Sequence, residues 1–145
     1  MPFRFPLASV LRMRESIENR EEVALQKIHL EVARVRRRID ELTEEMTKVC
    51  HERERDLQNS IRANRLQTMQ LEINAAVEAK QILSETMQTL KHQRDAQMKI
   101  YKAAHNGRQM LTDLMAQKKG MYEQEQTRLQ QKAIDDIVAA RWQRG

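Results

Sequence analysis

One cysteine, Cys50, in 145 residues excludes an intramolecular disulfide and gives no sign of an oxidising compartment. The only prolines are Pro2 and Pro6, so from Leu7 onward nothing locks φ or removes a backbone donor. Glycine occurs three times, at Gly107, Gly120 and Gly145, and no glycine-rich loop exists to cradle a phosphate. Aromatics make up 3% of the chain: Phe3, Phe5, Tyr101, Tyr122 and Trp142, too few for a bulky globular core. No apolar run approaches the roughly 18 residues of a membrane span, and the N-terminus lacks a signal peptide's apolar segment, so a cytoplasmic location is expected.

Catalytic groups are scarce in the same way. His29, His51, His92 and His105 are scattered, no paired-cysteine or paired-histidine spacing occurs, and one cysteine cannot build a structural zinc site. Asp135 and Asp136 fall on a helical segment with no pocket to shift their pKa. The chain is expected to be no enzyme and to hold no cofactor or metal.

What is abundant is charge, 32% of residues, with a formal balance of +5 and a pI of about 9.6. Basic and acidic residues alternate along almost the whole chain, as on the solvated face of a coiled coil. The local excess at Arg34, Arg36, Arg37 and Arg38 reads as such a flank, with an anionic partner as the alternative. Without aromatics among the basic residues there is no stacking platform, and no nucleic-acid partner is expected.

The strongest signal is the stretch Leu25, Ile28, Val32, Val35, Ile39, Leu42, Met46 and Val49, apolar at every third or fourth residue with polar residues nearly everywhere between. Such a strict seam buries a narrow stripe and requires a partner helix. Toward the N-terminus it weakens, because Arg14, Glu18 and Glu21 occupy positions the register would make apolar. Pro6 suits a first helical residue. Beyond Val49 the register meets Arg53 and Asp56, and Gln58, Asn59, Ser60 and Asn64 supply the clustered turn formers, which places a reversal there.

A second seam follows at Leu66, Met69, Ile73, Ala76, Lys80, Leu83, Met87 and Leu90, broken only by Lys80. Folding back near residue 61 sets residue i opposite about 122 minus i, so the two seams largely face each other. The expected fold is all-α: a long antiparallel two-helix coiled coil in a single domain over 1–145, with a helix over about 6–57, a connection over 58–64 and a longer C-terminal helix over about 65–142. The alternative is a three-helix bundle with a break near Asn106 and Gly107. By the same register the chain beyond about Lys119 has no partner helix, yet it carries Leu129, Ile134, Ile137 and Val138, the mark of a docking surface.

Phe3-Arg4-Phe5-Pro6-Leu7, followed by Val10-Leu11-Arg12-Met13-Arg14-Glu15, resembles the start of the FliJ family of bacterial flagellar export proteins. Ser60-Ile61-Arg62-Ala63-Asn64-Arg65 resembles that family's hairpin region, and Ala133-Ile134-Asp135-Asp136-Ile137 its C-terminal sign-off. The resemblance implies a non-enzymatic component of the flagellar type III export apparatus, serving motility and chemotaxis, cytoplasmic and peripherally associated with the inner membrane at the flagellar base. It would act as a central stalk in the hexameric export ATPase, stimulate it, couple it to the membrane export gate and handle export chaperones. Carried over by motif, the ATPase-ring contact is Phe5, Leu7, Leu11, Arg14, Ile134, Asp135, Asp136 and Ile137, and the export-gate contact is Leu42, Val49, Ala76, Ala79 and Leu83. For Leu7 and Leu11 the alternative is that they close the coiled coil, and Leu42, Val49, Ala76 and Leu83 also belong to the seam, so core packing competes with gate contact there. The rival reading is a generic coiled-coil adaptor, or the stalk of an injectisome or of a rotary ATPase.

Overall fold

The computed structural model describes residues 2–59 and 62–144; Ser60 and Ile61 of the expected connection lie outside the described residues. Two helices account for nearly all of it, α1 over Ala8–Gln58 and α2 over Ala63–Arg144. They form the antiparallel helical hairpin that the facing seams predict, with no strand among the described residues.

Local chemistry sets the helix ends. Pro6 and Leu7 lie in a turn closed by the Ala8 N–H on the Phe5 carbonyl at 3.1 Å, with proline at the second turn position, where its fixed φ fits. The first helical bond runs from the Leu11 N–H to the Leu7 carbonyl at 2.8 Å, so α1 starts two residues after Pro6. At its far end the Asn59 N–H bonds the Asp56 carbonyl, and Arg55 sits in the last turn where it complements the helix dipole. α2 likewise closes with Arg141 and Arg144 in its last turn.

α2 runs without a break through Asn106, Gly107 and Gly120, so the three-helix alternative does not form. A helix-interior glycine costs only about 1 kcal/mol against alanine. A Cβ at Gly120 would meet nothing within 4 Å, so Gly120→Ala is expected to raise stability by about 0.5–1 kcal/mol, read as an increase in Tm. At Gly107 the same Cβ would lie 3.6 Å from Nη1 of Arg14, ordinary contact, so Gly107→Ala should gain no more than Gly120→Ala.

By packing, the chain divides into two compact units, Met1–Glu21 with Tyr101–Gly145, and Glu22–Ile100. In the unit Glu22–Ile100, Leu25, Val32, Val35 and Leu42 of α1 and Met69 and Met87 of α2 are buried, and the other seam positions, Lys80 included, are half-buried. Val32, Val35 and Met87 form the core, flanked by Ile28, Ile39, Leu83 and Leu90. Val35 and Met87 obey the expected register, and near the reversal Arg53 donates to Gln70 at 3.0 Å while Arg65 approaches Asp56 at 3.1 Å. The latter is a charge contact without hydrogen-bond alignment, since the buried Asp56 Oδ2 accepts no such bond.

Candidate functional site

Three surfaces stand out, two of them in the unit holding residues 2–21 and 101–144. The first is the C-terminal part of α2, where every residue from Thr127 to Arg144 is exposed. Leu129, Ile134, Ile137 and Val138 are 46–56% exposed and Trp142 is 83% exposed. Ile134, Ile137 and Val138 share a helix face at spacings of three and four, and Leu129, Ala133 and Ile137 extend it. Asp135 and Asp136 are exposed beside that stripe, with Asp135 accepting from Gln131 at 3.1 Å.

The second surface is the N-terminal segment against α2. Phe5 and Leu11 are buried at 9% and 6% exposure, so both serve the intramolecular core of this unit. Phe3 stacks at a tilt on Tyr122 with ring centroids 5.5 Å apart. Of the other residues expected at a ring contact, Leu7 and Arg14 are exposed, and the Arg14 side chain lies over Gly107.

Within the same unit the polar seam position Glu18 acquires a partner that pattern reading missed. Arg108 donates through Nε to Glu18 Oε2 at 2.6 Å and through Nη2 to Oε1 at 3.4 Å, and His105 Nδ1 stands 3.4 Å from Oε1. The Arg108 hydrogen bond holds the Glu18 carboxyl below the usual carboxylate range, against the opposing effect of burial and with further help from His105. A paired charge on a seam fixes register, and removing one partner is destabilising because the other charge is left uncompensated. Its signal in the sequence was the register itself, which sets Glu18 opposite residue 104, one turn from Arg108.

A pKa lowered on folding means that this pair stabilises the protein above the carboxyl's unfolded value, about 4.3, and that the contribution disappears as pH falls through the folded value. Glu18→Gln is therefore expected to lower Tm at pH 7 and to flatten its dependence on pH on the acid side. Thermal melts between pH 7 and pH 3 check both.

The third surface belongs to the unit Glu22–Ile100. Leu42, Glu45, Met46 and Val49 of α1 and Glu72, Ile73, Ala75, Ala76 and Ala79 of α2 line a depression of about 410 Å³. It exists because three alanines stand opposite larger side chains and leave the space between the helices unfilled. Four of the five residues expected at a gate contact line it: Leu42, Val49, Ala76 and Ala79. Leu83 packs against the Val32, Val35 and Met87 core instead. Sequence reading missed Glu45, Glu72 and Ala75, whose signal was the alanine cluster facing Leu42 to Val49.

Among the described residues no three His, Cys, Asp or Glu side chains gather as a metal site, and no helix is long and apolar enough to cross a membrane. Cys50 is free and half-buried.

No curated protein and no solved structure matches the chain. A family model does, that of the flagellar FliJ protein, over residues 3–145. The match takes in the N-terminal segment, both helices and the exposed C-terminal stripe, and the chain belongs to the flagellar FliJ protein family.

Proposed function

We propose that this protein is a non-catalytic, central-stalk-like component of flagellar type III export that binds and stimulates the hexameric export ATPase. In this reading it couples the ring to the membrane export gate and handles export chaperones. Family membership supports a flagellar export component, and the observation that carries the ring contact is the continuous exposure of α2 from Thr127 to Arg144. An apolar stripe left in water at Ile134, Ile137 and Val138 lowers the free energy by entering another protein's interior, at about 25 cal/mol per Å² buried.

The ring contact is assigned to Leu7, Arg14, Ile134, Asp135, Asp136 and Ile137, with Phe5 and Leu11 holding the segment from beneath. The gate contact is assigned to the face around Leu42, Val49, Ala76 and Ala79, with Leu83 supporting it from the core. Both assignments place the working protein in the cytoplasm, peripheral to the inner membrane at the flagellar base. The test is a pull-down with the flagellar export ATPase, reading ATP hydrolysis with and without this protein. Binding and stimulation by the full chain, both lost when the chain is cut before Ala133, are the expected results; stimulation that survives the cut removes the ring assignment.

A further inference from the structure

The alanine-walled depression adjoins a second one, of about 380 Å³, through their common residue Glu72. Glu52 lines the second and Glu45 the first, so three carboxylates edge one groove in a chain whose formal charge is +5, and the one cation in the lining, Arg65, stands 3.1 Å from Asp56. The three carboxylates are not neutralised from within. Glu52 and Glu72 have no ion-pair partner among the described residues, and Glu45 has only Arg38 at 3.8 Å, a guanidinium that sits closer to Glu41 at 3.2 Å. The first depression has an apolar floor, and the rim of the groove carries three carboxylates against one guanidinium that Asp56 already engages.

We propose that this groove is a receptor for an amphipathic helix of a partner protein that carries basic residues on both flanks of its apolar stripe. The proposal deepens the gate reading of this face and rests on it only for the partner's identity. A helix is the matching shape because the walls are themselves helices, whose backbone groups are already bonded, so an extended strand would find no edge to pair with. Alanine on one wall lets a third helix axis come close. Glu45 and Glu52, seven residues apart, lie on one flank of α1 and Glu72 projects from α2. A docked helix therefore needs basic residues seven positions apart on one side and another on the opposite side, the charge pattern that selects partners in coiled coils.

The experiment uses the full chain and a fluorescent peptide of about three heptads, with leucine at the core positions and lysine at both flanks; its control carries glutamate at the flanks. Like-charged flanks keep each peptide from pairing with itself. The lysine peptide is expected to bind by fluorescence anisotropy, more weakly as salt rises, and the glutamate peptide not to bind. Combining Glu45→Lys, Glu52→Lys and Glu72→Lys should weaken binding by about three- to a hundredfold, at a factor of about 1.5–5 for each rim pair. All three side chains are exposed, so helicity by circular dichroism should not change.

Equal binding of both peptides, or unchanged affinity in the triple variant, overturns the proposal. Loss of binding in a chain carrying Ile134→Lys and Ile137→Lys instead would place the peptide on the C-terminal stripe and overturn it equally. Tighter binding by a peptide of residues 126–144 than by the lysine peptide would make the occupant a second copy of this chain, and the partner helix would be withdrawn. Swimming of a deletion strain separates the two readings. A triple variant that loses the peptide but restores swimming keeps the receptor and removes the gate assignment.

Discussion

Val35→Asp is expected to cost more than about 3 kcal/mol and to strip much of the far-UV helical signal, because it puts an unpaired carboxylate into the core of the unit Glu22–Ile100. Val35 is 9% exposed and meets Val32 and Met87, with Ile28, Ile39, Leu83 and Leu90 around them, and none of these can donate a hydrogen bond to the new charge. The loss is large against the total, since no side chain among the described residues is fully buried and the interface is a narrow stripe. Val35→Ala removes only packing and should cost about 2 kcal/mol. Arg37→Ala, on the exposed face two residues on, should stay within about 0.5 kcal/mol. Urea melts of the three variants check that order, and equal midpoints for Val35→Asp and Arg37→Ala would show that this seam is not the core.

That core was legible because a helix has one period, and eight apolar residues in phase from Leu25 to Val49 leave it little choice of face. Once the turn formers near Asn59 locate the reversal, arithmetic supplies the partners, and Val35 does meet Met87. Terms smaller than one turn were not legible. Asn106 and Gly107 look like a turn, but packing of buried Ala104 and of Arg14 over Gly107 outweighs a propensity cost of about 1 kcal/mol, and α2 continues. Glu18 looked only like a weak point of the seam. The register sets it opposite residue 104, but the choice of Arg108 as its partner depends on side-chain reach, which periodicity alone does not encode. The groove is hidden from the pattern for a related reason. Ala76 satisfies an apolar pattern as well as leucine does, yet its missing volume, with that of Ala75 and Ala79, opens the space. Patterns count apolar positions and are blind to size, and size decides whether a seam is closed or receptive.

The largest functional effect is expected at the opposite extreme of burial. A chain carrying Ile134→Lys and Ile137→Lys should lose binding to the export ATPase by a factor of about ten to one hundred, with its own stability unchanged. Both side chains are more than half exposed, at 54% and 56%, so the free protein gives up no packing when they become lysine, and lysine is as good a helix former as isoleucine or better. In a complex each of these half-exposed side chains would gain about half of the 1.5–3 kcal/mol of a full transfer, together about 1.5–3 kcal/mol, which at 1.4 kcal/mol per decade is one to two decades of affinity. The informative control is Met110→Lys. Met110 is 72% exposed, on the same helix and in the same unit, but outside the stripe, so general hydrophobicity predicts as much loss there as at Ile134, whereas a shaped contact predicts almost none. Titration of the ATPase with all three proteins, with circular dichroism to confirm equal helicity, decides between those two. Equal loss in both variants would mean that the stripe is merely sticky; retention in Met110→Lys with loss in the double variant would mean that the residues left in water are those another protein covers.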